Sequence, residues 1–245
     1  MSIIYKENMM DFYGFYTGKI FDAYKYLGAH VEEKGVTFRT FAPSASRITL
    51  IGEFNDWQEW EMNKVSDGNF WECYVPQAKA GQMYKYKIYD RNGNPVDHCD
   101  PYGFGMELRP GSASIIRDMS KYKFKDSQWL QSRSDCRKKP LNIYEIHFGS
   151  FRKPSDKADD WYNYEEMIDI LIPYLVKNGY NYLEIMPLNE YPCDESWGYQ
   201  ATGFFSPTSR YGTADQLKAF IDACHKHMGE GSYEPSAHCP RSLNH

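Results

Sequence analysis

The hydrophobic period of this chain changes once, near Pro140, and that change constrains what the chain can fold into. From Val36 to about Asp118 the period is two: Val36, Phe38 and Thr40 alternate with Thr37, Arg39 and Phe41. Ile48-Thr49-Leu50-Ile51 is a short apolar run ending at Gly52, and Phe70 to Val75 and Tyr84 to Tyr89 read as further strands. Turn residues separate them at Ala42-Pro43-Ser44, Ser66-Asp67-Gly68-Asn69, Ala80-Gly81 and Arg91-Asn92-Gly93-Asn94. Short strands broken at regular intervals by Gly, Pro and Asn predict a β-sandwich. Alternation gives each strand one buried side, so Trp71 and one of Tyr84 and Tyr86 are expected in the core.

Past Pro140 strands and helices alternate. Leu141 to His147 is a strand. Asn163 caps a helix with Glu165 and Glu166 in its first turn, where the helix dipole favours acid. Its apolar positions are Met167, Ile168, Leu171, Ile172, Leu175 and Val176, Pro173 should kink it, and Gly179 ends it. Tyr182 to Pro187 is the next strand. Thr213 opens a second helix with Gln216 three residues on, a capping box, and Leu217, Phe220, Ile221 and Cys224 mark its buried face. Strand, helix, strand, helix predicts parallel strands joined by crossovers. Residues 119 to 140 are polar and read as a linker. The composition shifts again after Met228-Gly229-Glu230, and no apolar run for a third strand follows; residues 231–245 are expected to be unstructured.

Bulk properties exclude several classes of partner. The net charge is −5 and no basic block stands out, which argues against nucleic acid, because phosphate neutralisation needs clustered Lys and Arg. No apolar run approaches the ~20 residues of a membrane span and no secretory signal pattern opens the chain, so a cytoplasmic home is expected. The six cysteines (Cys73, Cys99, Cys136, Cys193, Cys224 and Cys239) are widely spaced and read as reduced thiols. Cys224-His225-Lys226-His227 with His238-Cys239 invites a zinc reading, but adjacent Cys224 and His225 cannot easily share one ion, and no metal site is expected.

Aromatic residues make up 17% of the chain, more than a core alone requires. They concentrate in Trp197-Gly198-Tyr199-Gln200-Ala201-Thr202-Gly203-Phe204-Phe205, which continues through Ser206-Pro207-Thr208-Ser209-Arg210-Tyr211-Gly212 with almost no charge. Aromatic faces on a Gly-punctuated loop suit the apolar C–H face of a sugar ring; an aromatic loop folded back on a core fits the same composition.

Several of these segments together resemble the bacterial 1,4-α-glucan (glycogen) branching enzymes of glycoside hydrolase family 13. Asp11-Phe12-Tyr13 through Leu27-Gly28-Ala29-His30 looks like that family's entry segment. Phe41-Ala42-Pro43, Gly52-Glu53-Phe54-Asn55-Asp56-Trp57, Tyr84-Lys85-Tyr86-Lys87, Asp100-Pro101-Tyr102 and Leu108 to Ser114 resemble a family 48 carbohydrate-binding module. Tyr144 to Phe151 resembles strand one of the family's catalytic barrel, and Glu184 to Glu190 its strand two. Trp-Gly-Tyr is shared with trehalose-forming and debranching relatives, whereas Gln200 with Thr202-Gly203 and the Pro207 to Gly212 run follow the branching-enzyme pattern.

The resemblance implies an N-terminal extension over 1–30, an immunoglobulin-like carbohydrate-binding sandwich over 31–118, a linker over 119–140, and over 141–230 the first two βα units of a TIM (β/α)8 barrel. It implies Tyr199 as the aromatic platform under a glucosyl ring, Trp197 and Gln200 shaping the same subsite, and Trp57 as an exposed glucan contact on the sandwich. His147 is read as structural. The implied partner is an α-glucan such as glycogen or amylose, and no cofactor is implied. The reaction is a retaining transfer from α-1,4 to α-1,6 linkage, with an Asp nucleophile and a Glu acid ~5 Å apart. In the family those carboxylates lie beyond barrel strand three, and Leu141 to His245 spans less than half of the ~250 residues a barrel needs. The chain is therefore expected to be a truncated branching enzyme, inactive by itself, with no catalytic residue of its own. Glu145, Glu184, Glu190, Asp194 and Glu195 are not expected to substitute. The alternatives are a non-catalytic glucan-binding or scaffold protein, and a fragment of a debranching or trehalose-forming hydrolase. Oligomeric state is left open.

Overall fold

The computed structural model describes residues 10–132 and 140–227. They fall into two compact units. The first comprises the residues up to Glu107 with Gly111–Asp118, and the second Leu108–Pro110 with the residues from Met119 onward. The expected tail over 231–245, with Cys136 and Cys239, lies outside the described residues.

The first unit is the sandwich that its period-two strands require. Strands β1 (Gly28–Glu32), β2 (Gly35–Phe41), β5 (Asn63–Val65) and β6 (Phe70–Val75) form one sheet in the order β1-β2-β6-β5. Strands β3 (Arg47–Gly52), β4 (Trp60–Glu61), β7 (Met83–Tyr89) and β8 (Pro95–His98) form the other in the order β4-β3-β7-β8, with β9 (Ser114–Ile115) also paired to β7. The core draws alternate residues from both: Val36, Phe38, Trp71, Cys73 and Val75 from one sheet, Ile48, Leu50, Tyr84 and Tyr86 from the other. Tyr84 and Tyr86 are both fully buried, which corrects the expectation that only one faces inward. They stand two apart on one strand and so share a face. Their hydroxyls converge on Asp100, donating to Oδ2 at 2.7 and 3.0 Å.

Residues 10–26 are more than an extension. Helix α1 (Phe12–Tyr16), capped by Asp11 Oδ1 accepting from Gly14 N at 2.9 Å, lays Phe12 and Phe15 against the outer face of the first sheet. There they meet Phe70, Phe41 and Leu27 in a second aromatic cluster. That sheet is covered on both faces, which is why β2 is buried at nearly every position.

The second unit is built on two parallel strands, β10 (Ile143–Ile146) and β11 (Tyr182–Ile185), paired in register from Ile143↔Tyr182 to Ile146↔Ile185. The short helix α3 (Phe148–Phe151) follows β10. Helix α4 (Glu166–Lys177) begins where Asn163 Oδ1 accepts from Glu166 N at 2.9 Å and Glu166 Oε2 accepts from Asn163 N at 2.8 Å. It continues through Pro173, on an exposed position, and Gly179 at φ 73° closes it. Thr213 and Gln216 exchange the reciprocal bonds of a capping box ahead of helix α5 (Ala214–His227). The core gathers Ile146, Phe148, Met167, Leu171, Leu175, Leu183, Ile185, Leu217 and Phe220 between the strands and α4 and α5.

Residues 119–132 do not behave as a linker. They contain helix α2 (Ser127–Ser132) and pack on α5. Tyr122 OH and Lys125 N donate to Asp222, Lys218 Nζ donates to the Met119 carbonyl, and Asp126 Oδ2 pairs with His225 Nδ1 at 2.8 Å. Trp129 stacks flat on His225 with ring centroids 3.6 Å apart. Lys218, Asp222 and His225 recur at helical spacing, so α5 buries a polar stripe beside its apolar one. The polar composition of 119–132 hid this contact because its partners are polar too.

Candidate functional site

The site lies at the C-terminal ends of β10 and β11, where α/β proteins place their ligands. β11 runs through Met186 and Pro187 into β12 (Asn189–Glu190), which pairs antiparallel with β13 (Gly203–Pro207). Between β12 and β13 the chain makes a tight turn over Asp194–Ser196 and enters the aromatic run. Trp197 caps that turn in the left-handed region at φ 54°, with its amide donating to the Asp194 carbonyl at 3.1 Å. A bulky residue held there stores about 1–2 kcal/mol of strain. Gly198 follows at φ 91°, and a Cβ on it would collide with the Pro187 carbonyl oxygen. The two conformations turn the next side chains outward. Trp197 is 53% exposed, Tyr199 66%, and Gln200 is exposed as well.

A hollow of about 380 Å³ opens beside Tyr199; Trp197 and Gln200 flank that residue in the chain but do not line the hollow. Tyr199, Phe204 and Phe205 give it aromatic walls, Met186 and Pro187 an apolar floor, and Glu145, Glu184 and Asn189 its polar groups. Glu145 and Glu184 are register partners on the sheet face opposite α4 and α5. Both line the hollow, and among the described residues neither is in an ion pair.

The carboxylates of the loop are committed elsewhere. Glu190 is buried and accepts from Ser209 N at 2.6 Å, Tyr191 N at 3.1 Å, Thr208 Oγ1 at 3.1 Å and Arg210 Nη1 at 2.7 Å. Burial lifts its carboxyl above the ordinary range against the pull of these donors. Asp194 accepts from Arg210 Nη2 at 2.5 Å and from Arg109 Nε at 2.9 Å. Partial burial works to raise its carboxyl, but the two guanidinium groups outweigh it and hold it below the ordinary range. Arg109 also reaches Asp159 at 2.7 Å.

His147, at the end of β10, stands beside this network with its ring 6.0 Å from that of Trp197. Ser150 Oγ lies 2.9 Å from its Nδ1, while its Nε2 is shielded from solvent and has no partner among the described residues. Burial first, and the charge of Arg210 second, push its imidazole toward the neutral form. It is thus only half satisfied, where the sequence read a structural histidine.

Of the residues singled out in the sequence, Trp197, Tyr199 and Gln200 share this loop. Trp57 belongs to the first unit, 40% exposed on a left-handed turn at φ 59°. Trp71 is buried there, its Nε1 donating to the Ala42 carbonyl at 3.1 Å. The sequence reading used Arg210 only as part of the Pro207 to Gly212 run and gave it no role of its own, although it is the single charged residue from Trp197 to Gly212. A lone charge in an apolar segment is itself a signal of a buried partner. Among the described residues no group of three or more His, Cys, Asp and Glu is placed to hold a metal ion, and no helix is long and apolar enough to cross a membrane.

A carbohydrate-module sandwich ahead of parallel βα units of the amylase type is the class these features define. Residues 26–103 match the family model for carbohydrate-binding module 48, the isoamylase N-terminal domain. The backbone superimposes on a protein described as an alpha amylase, from Salmonella typhimurium, with a TM-score of 0.65 and 23% identity, over 85% of this chain and 32% of that one. The chain is, in sequence, a relative of the bacterial 1,4-alpha-glucan branching enzymes. It is 45% identical over 220 residues to that of Dechloromonas aromatica, covering 87% of this chain and 35% of the relative. It is 41% identical over 227 residues to that of Fusobacterium nucleatum, covering 91% and 37%. It is 41% identical over 225 residues to that of Geobacillus stearothermophilus, covering 89% and 35%. The chain spans about a third of the length of the curated relatives it matches.

Proposed function

We propose that this chain is the glucan-binding front portion of a 1,4-α-glucan branching enzyme of glycogen synthesis, acting in the cytoplasm. The hollow beside Tyr199 carries the reading. It offers aromatic walls to the apolar face of a glucosyl ring and carboxylate and amide groups to its hydroxyls. The free thiols of Cys73, Cys99, Cys193 and Cys224 fit a reducing compartment.

By themselves these residues bind and do not branch. Retention needs two carboxyls flanking the scissile bond. Glu145 and Glu184 stand side by side on one sheet face, and Glu190 and Asp194 are consumed by Arg210 and Arg109.

Affinity electrophoresis in glycogen tests the binding. The wild-type chain is retarded, and Tyr199→Ala removes most of that retardation. Unretarded wild-type migration refutes the reading. Branching of amylose by this chain, followed by iodine staining, refutes the claim of inactivity. A scaffold reading centred on the sandwich rests on the exposed Trp57. It predicts the reverse dependence, with loss in Trp57→Ala and none in Tyr199→Ala.

A further inference from the structure

The aromatic loop is laced to one buried cation. The Arg210 side chain is 1% exposed and donates four hydrogen bonds. Nη1 donates to Glu190 Oε1 at 2.7 Å and Thr208 Oγ1 at 3.2 Å, and Nε and Nη2 donate to Asp194 Oδ1 at 3.0 and 2.5 Å. The face of the guanidinium lies 3.8 Å from the Tyr191 ring centroid. Each partner holds a different part of the loop. Asp194 begins the turn whose carbonyls accept the amides of Ser196's successors, Asp194 O from Trp197 N at 3.1 Å and Ser196 O from Tyr199 N at 3.0 Å. Glu190 anchors the return, its carbonyl accepting from Thr202 N at 2.8 Å. Arg210 itself closes the run.

An exposed aromatic pair on an unbraced loop would collapse onto the nearest apolar surface or sample many rotamers, and a ligand would have to order it. A planar fork that bonds two carboxylates and stacks on a ring removes that cost before the ligand arrives. We propose that Arg210 is the positioning residue of this site: it preorganises Trp197 and Tyr199 as a rigid platform for a glucosyl ring without touching the sugar. The role rests on the glucan reading of the site.

The test uses the full chain labelled with 5-fluorotryptophan, whose six tryptophans give six fluorine resonances. Trp197→Phe assigns the resonance of Trp197. Asp194→Asn cuts the tie between Arg210 and the turn while leaving Glu190 paired, so it spares the buried pair whose loss endangers folding. Arg210→Lys keeps the charge but lacks the fork. In both variants the Trp197 resonance should shift and broaden while those of Trp57, Trp60, Trp71 and Trp129 hold; Trp161 is no control in Asp194→Asn, because that change also frees the Arg109 guanidinium over its ring. The maltoheptaose affinity read at that resonance should weaken about tenfold, the scale of ordering one or two side chains on binding instead of beforehand. Tyr199→Ala should leave the free Trp197 resonance in place and lose the response to maltoheptaose.

A Trp197 resonance and affinity unchanged in both Asp194→Asn and Arg210→Lys would overturn the role of Arg210. So would a simultaneous collapse of all six resonances in Asp194→Asn, which makes the network a determinant of the fold. A wild-type Trp197 resonance that ignores maltoheptaose sinks the glucan reading itself, a different result from either.

Discussion

The two units solve the burial of a sheet differently. In the sandwich, each sheet covers the other, and the aromatic residues of α1 cover the back of the first sheet as well. In the α/β unit, α4 and α5 cover one face of β10 and β11, while Ile143 and Glu145 on the opposite face stay exposed. Each of those strands pairs only with the other among the described residues, so each also keeps an unpaired edge. Parallel strands are at home when buried on both faces, and period-two antiparallel strands are content with less. A sandwich can close its core within about a hundred residues; a parallel sheet of two strands leaves half its surface looking for more chain.

The two units should differ most under cavity formation. Phe148 is buried against Tyr164, Tyr211 and Phe220, with the Tyr211 centroid 4.9 Å away. Phe148→Ala should cost about 3–5 kcal/mol, on the scale of buried Phe truncations, in a unit with little to spare. Hydrogen exchange read by mass spectrometry should show Ile143–Ile146 and Tyr182–Ile185 losing protection while Phe70–Val75 keeps its own. Equal loss in both units would show that they unfold as one.

A pH titration sharpens the contrast from the sandwich side. Burial lifts the Asp100 carboxyl from its ordinary 3.8 to about 6, against the downward pull of Tyr84, the Tyr102 amide and Tyr86. Between those values the folded state keeps a proton that the unfolded state has released. Stability from this group is therefore present in acid and falls as pH rises through that window, by about 2–3 kcal/mol in all. Asp100→Asn carries no such ionisation. The difference in urea stability between the two proteins should thus vary between pH 4 and pH 7 and then level off. A flat difference would mean that Asp100 is charged throughout.

The smallest of these effects concerns a helix end. Thr213→Ala removes the side-chain acceptor of the Gln216 amide, 3.3 Å away, and should cost about 1 kcal/mol. Thermal melts should place that loss in the α/β unit, leaving exchange in the sandwich unchanged. A loss shared by the sandwich would join what the contact pattern separates.

Legibility in the sequence followed the range of the interactions. Strands β2, β3, β6, β7, β10 and β11 and helices α4 and α5 were readable because period, caps and turns are local signals. Asn163 and Thr213 announced their helices by spacing alone. The contact of α1 with Phe70 and Phe41, and of residues 119–132 with α5, was not readable. In the first a short aromatic segment finds a sheet through tertiary packing, and in the second both surfaces are polar. The site divided the same way. Trp197 and Tyr199 stood out by composition and by family resemblance, whereas Arg210 acquires its meaning from Glu190 and Asp194, 20 and 16 residues away.

The two architectures, the aromatic loop and the relationship to branching enzymes can be read without coordinates, because each is carried by residues close together in the chain. Which aromatics face solvent, which carboxylates are neutralised, and what braces the loop are settled on folding. Those outcomes depend on desolvation and on ion pairs between distant residues, and neither quantity exists until the chain has folded.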